Sequence, residues 1–180
     1  MAPKPSRATL LATLLAAPAA VCADPSHVLS VGPFGVLIGG AGSLQGGAGV
    51  EASLLRFRAP MSRDAVLVGG VAQLAGVVRN NEGTLYGMLG GEVAYGGVGL
   101  EAGPYVQTAG GGYGASLGVH AGAYLSLGVV YVSGGVHLPA VQSSAPEVLG
   151  VQGFLFVGLK YPFTVQGDSP YRSLFTWTFR

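Results

Sequence analysis

Charge is what this chain most lacks. Asp, Glu, Lys and Arg make up 9% of its 180 residues, against about 25% in an ordinary soluble domain. That scarcity excludes a conventional water-coated globule, whose surface is largely charged. Nine Lys and Arg against eight Asp and Glu give no basic field, which excludes a nucleic-acid partner. Cysteine is almost absent, since Cys22 is the only one, so no disulfide framework exists. Disorder is excluded by the 49% of hydrophobic residues. The length fits one domain.

A helical membrane span is also missing. Between Glu101 and Glu147 lie 45 residues without a charge, and a membrane helix needs only about 20. Yet ten of those 45 are glycine, and each weakens a helix by up to about 1 kcal/mol relative to alanine. A glycine-zipper bundle of helices is therefore the weaker membrane reading.

What is present begins with a targeting signature. Lys4 and Arg7 precede an apolar run from Ala8 to Val21, followed by Val21-Cys22-Ala23 before Asp24. This pattern predicts a secretory signal peptide over residues 1–23 and a mature domain over 24–180. A lipoprotein signal at Cys22 is the competing reading, and Val21 fits it poorly. Cleavage after Ala23 leaves seven Lys and Arg, eight Asp and Glu, and no cysteine.

The mature chain alternates with period two, the signature of a strand with two different faces. From Tyr113 to Leu125, the odd positions include Ala115, Leu117, Val119, Ala121 and Ala123, while the even ones are Gly114, Ser116, Gly118, His120, Gly122 and Tyr124. The same sorting recurs in nine segments: about 34–44, 48–58, 64–79, 84–95, 98–108, 112–125, 128–138, 147–163 and 171–179. Gly96-Gly97 is a two-residue hairpin signal, because both positions tolerate positive φ. It sets Glu92 opposite Glu101. Ser126-Leu127 as a second two-residue turn sets His120 opposite Ser133 and Ser116 opposite His137. Gln45-Gly46-Gly47 reads as the first turn.

Successive hairpins without helical crossovers make an antiparallel meander. Apolar residues on one face, with Gly, Ser, Tyr and Gln on the other, suit a closed barrel with lipid outside and a crowded polar lumen. The expected fold is an all-β, antiparallel, up-and-down transmembrane β-barrel of eight strands. Ten is the alternative if a further strand lies near His27 to Val31.

These features, with the aromatic terminus Phe175-x-Trp177-x-Phe179 before Arg180, resemble the small outer-membrane β-barrel proteins of Gram-negative bacteria. The resemblance is one of architecture and implies no active residues. It implies export to the outer membrane, a monomer in lipid, and recognition of the last strand by the barrel-insertion machinery.

Candidate site residues follow from the inward face. Glu51, Arg79, Glu92, Glu101 and Lys160 form an expected lumen charge network. The facing pair Glu92 and Glu101 must hold a proton or share a cation at low dielectric. A network that neutralises buried charge and fixes register is the simpler reading, and a gate for ions or solutes the sharper one. Ser116, His120, Ser133 and His137 form Ser/His pairs that invite a lipid-hydrolase reading. No Gly-x-Ser-x-Gly elbow or orienting acid accompanies them, so hydrogen-bonded lumen fillers are expected. Tyr95, Tyr161 and Trp177 are expected in interfacial aromatic girdles. No metal, cofactor or enzymatic activity is expected. The expected function is structural or narrow-pore (porin-like). A secreted soluble barrel or sandwich binding an apolar ligand, and an outer-membrane lipid-modifying enzyme, are the alternatives.

Overall fold

A computed structural model describes residues 25–40, 43–58 and 66–166. The strands are β1 (Pro25–Gly40), β2 (Ser43–Arg58), β3 (Val66–Arg79), β4 (Glu82–Tyr95), β5 (Val98–Gln107), β6 (Ser116–Leu127), β7 (Val130–Gln142), β8 (Gln152–Leu159) and β9 (Tyr161–Gln166). Each pairs antiparallel with its neighbour in sequence from β1 to β8, and β1 closes the ring against both β8 and β9. β8 and β9 are two parts of one strand. Phe34 opposite Gly158 and Val31 opposite Tyr161 belong to a single register interrupted at Lys160. Pro33 on the facing strand has no N–H for the ladder there. The result is the expected eight-stranded closed antiparallel up-and-down barrel. No helix among the described residues is long and apolar enough to cross a membrane.

Side-chain alternation is nearly unbroken. β3 alternates exposed and buried positions down its length, ending in buried Val71, Gln73, Ala75, Val77 and Arg79. β4 buries Thr84, Tyr86, Met88, Glu92 and Ala94. The apolar outward set and the mixed inward set fall where period two places them.

Three expectations are corrected. The first reversal falls between Gly40 and Ser43, and Gln45 is a buried residue of β2. Gly47 serves close approach between strands, since a Cβ there would lie 2.1 Å from the Gly76 carbonyl oxygen. The stretch His27 to Val31 is the start of β1, so no extra strand arises. The β6–β7 turn is Gly128-Val129, flanked by Leu127 paired with Val130. Gly128 takes a φ of +70°, which neither Ser126 nor Leu127 adopts cheaply. His120 therefore faces His137, and Tyr124 faces Ser133. The slip is even, so every side chain keeps its face. The Gly96-Gly97 turn forms as expected, with φ of 59° and 91°, and Glu92 faces Glu101. The segment 171–179, with Trp177, lies outside the described residues.

Candidate functional site: a filled polar lumen

Inward aromatic rings need floor space, and glycine supplies it. Tyr124 lies opposite Gly99, Tyr105 opposite Gly118, Tyr131 opposite Gly158 and Phe154 opposite Gly135. A Cβ at these four glycines would approach the facing ring to between 2.2 and 2.8 Å. Each ring thus lies flat across the neighbouring strand. In this way the wall is thinned where the lumen is crowded.

The charge network forms around Lys160, which shares the inward parity of Gln152, Phe154 and Phe156 and lies between the Tyr124 and Tyr131 rings. Its Nζ lies 2.5 Å from Glu51 Oε1 and 3.6 Å from Glu92 Oε2, and donates to Ser53 Oγ at 3.1 Å. Glu51 Oε2 accepts from Tyr131 Oη at 2.8 Å and Gln73 Nε2 at 2.9 Å. The same Gln73 nitrogen reaches Glu101 Oε2 at 3.3 Å. Glu101 Oε1 accepts from Ser133 Oγ at 2.6 Å and lies 3.3 Å from His120 Nε2. His120 Nδ1 is 3.0 Å from both Tyr86 Oη and His137 Nε2. Two carboxylates, Glu51 and Glu92, thus flank one ammonium, and Glu92 also has the Ser53 and Tyr124 hydroxyls beside it. Glu51, Glu92, Glu101, His120 and His137 are all buried. At such depth a charge is tolerated only beside its partner.

An aromatic plug lies beside this network. Phe154 stacks on His120 at 4.5 Å and on His137 at 4.8 Å, and packs on Phe156 at 4.6 Å. Tyr86 and Tyr105 also stack on His137. Each such contact contributes about 0.5–1.5 kcal/mol beyond burial.

Of the expected network, Glu51, Glu92, Glu101 and Lys160 come together and Arg79 does not. Arg79 stands six residues beyond Gln73 on β3, about 20 Å away at strand rise, with its guanidinium 4.4 Å over the Tyr113 ring. The Ser/His pairs are also corrected. Ser133 donates to Glu101, Ser116 lies beside Tyr105, and the two histidines meet each other. No Ser–His contact of the kind a hydrolase needs is formed by these four. Tyr95 and Tyr161 point outward at the same end of the barrel, next to the 96–97 turn and just beyond the start of β7. Among the described residues no group of three His, Cys, Asp or Glu is placed to hold a metal ion.

Tyr86, Tyr131, Ser53 and Phe154 are network members that motif reading passed over. Their signal was parity alone, because each shares the inward face of its strand. At the other end of the barrel, the segment after β5 folds over the opening. Tyr113 is buried there, bridged to Gly110 and Glu147. The Gly111 N–H donates to Glu82 Oε2, and Asn80 Nδ2 to the Gly111 carbonyl.

Compared with protein-family models, curated proteins and solved structures, the chain gives no match.

Proposed function

We propose that the chain is an integral outer-membrane barrel with a structural role, its lumen plugged by its own side chains. One observation carries this reading. The outer wall presents large apolar side chains around its circumference, among them Leu44, Leu74, Leu89, Leu100, Val119, Val132 and Leu155, all exposed. The inner wall holds the ionised and amide groups. A soluble protein exposes no apolar surface of such extent, and the inversion matches a wall facing lipid. Strands of 10–16 residues in β1 to β7 reach across a bilayer, which takes about 9–11 residues.

The filled interior favours a plug over a narrow pore. Rings, amides and ion pairs occupy it at near-complete burial. A soluble carrier of apolar ligands would need an apolar cavity, whereas the interior here is lined by Glu51, Gln73, Glu92, Glu101, His120 and Lys160.

Urea and high-salt washing of cell membranes tests the location, and an SDS gel of boiled against unboiled protein tests closure in the same preparation. The expected outcome is retention in the outer-membrane fraction with a heat-dependent change in mobility. Release by the wash overturns the reading in favour of a soluble periplasmic barrel. Planar-bilayer recording is expected to show no steady conductance, and stable open channels would restore the pore reading.

A further inference from the structure

The two ends of the lumen differ in how their buried cations are satisfied. Lys160 has two carboxylates and a hydroxyl within reach. Arg79 has no such partners. Arg79 is 1% exposed, yet its Nε and Nη2 have no hydrogen-bond partner, and it makes no ion pair among the described residues. Gln45 Nε2 is likewise buried and unpartnered, and the Tyr105 and Ser116 hydroxyls lie beside each other with one O–H to spare between them.

Register brings these groups to one end. Gln45 immediately precedes Gly46, the partner of Val78, and so sits beside Arg79. Gln107 Nε2 donates to Gln45 Oε1 at 2.7 Å, which leaves the Gln45 amide nitrogen free to turn elsewhere. Ser116 faces Gln107, and Tyr105 lies two residues before Gln107 on β5. Tyr113 closes over Arg79 from outside. A cation–π contact offsets only part of the cost of burying a guanidinium. The nearby carboxylates Glu82 and Glu147 are both exposed at the rim, where solvent screens them. The free acceptors at this end, Gln107 Oε1 and Gln152 Oε1, belong to neutral amides, so the charge left unbalanced is that of the buried Arg79.

We propose that Arg79, Gln45, Tyr105 and Ser116 form a binding site for one small inorganic anion of about chloride size, lidded by Tyr113. The packed interior sets the size limit, and the unpaired guanidinium sets the sign of the ligand. The site does not depend on the membrane reading, since it lies inside the barrel in either solvent.

The test is the thermal midpoint of the detergent-purified protein, followed by far-UV circular dichroism. Sodium chloride replaces sodium gluconate at constant ionic strength. The expected result is a rise of roughly 5 °C across a hundredfold range of chloride. Arg79→Gln abolishes that response. Ser116→Ala moves it to roughly tenfold higher chloride, and it carries the test if Arg79→Gln fails to fold. A wild-type midpoint that is flat in chloride overturns the site. An equal rise in wild type and either variant does so too, because it marks a general salt effect. A gel mobility shift in the same samples reports barrel closure separately.

Discussion

Along β4 the two faces of one strand meet different solvents. Tyr86, Met88 and Glu92 are buried, while Leu85, Leu89, Val93 and Tyr95, interleaved with them, are exposed. The buried set includes a carboxylate, and the exposed set is apolar. In a water-soluble sheet the assignment is the reverse. The glycines differ in the same way. Gly99 on the inner wall makes room for the Tyr124 ring, whereas a Cβ added to Gly76 on the outer wall would meet no atom within 4 Å. Composition alone does not separate these roles, and only the face a residue occupies assigns them.

Breaking the inner wall at its charge centre has the largest expected effect. Lys160→Met leaves Glu51 and Glu92 buried without their cation and costs roughly 3–5 kcal/mol. The measurement is the midpoint of urea unfolding in lipid vesicles. Adding Glu51→Gln is expected to recover part of the loss, and strict additivity would mean the two do not interact. On the outer wall, Leu89 stands at mid-length of β4, and Leu89→Arg is expected to cost about 2–4 kcal/mol in lipid. A neutral result would place that wall in water.

The glycine pair sharpens the contrast at smaller scale. Gly99→Ala drives a Cβ to 2.2 Å from Tyr124 Cζ, and such overpacking costs roughly 1–3 kcal/mol. Combining it with Tyr124→Leu is expected to relieve the strain, read in the same unfolding assay. Gly76→Ala projects into open space and is expected to stay within about 0.5 kcal/mol of wild type. Equal costs at the two glycines would contradict the assignment of faces.

Much of this was legible in the sequence, because faces depend only on parity. Glu51, Glu92, Glu101 and Lys160 converge since all four share the inward parity of their strands. Glu92 against Glu101 was readable to the residue, because Gly96-Gly97 admits one turn. The β6–β7 register was not. Ser126-Leu127 and Gly128-Val129 both keep the faces, and only the positive φ of Gly128 decides between them. That slip of four residues turned two Ser/His pairs into a His/His contact. Arg79 shares the inward parity of Glu51, but parity carries no height along the barrel axis. Its separation from the acids needed the full set of registers.

The central claim is that the outer wall faces lipid. A nitroxide label at Leu89→Cys, in a Cys22→Ser background and in lipid vesicles, tests it most directly. Collision with dissolved oxygen and with a water-soluble nickel complex is read by electron paramagnetic resonance. The expected result is high oxygen and low nickel accessibility. High nickel accessibility at that position would contradict the account.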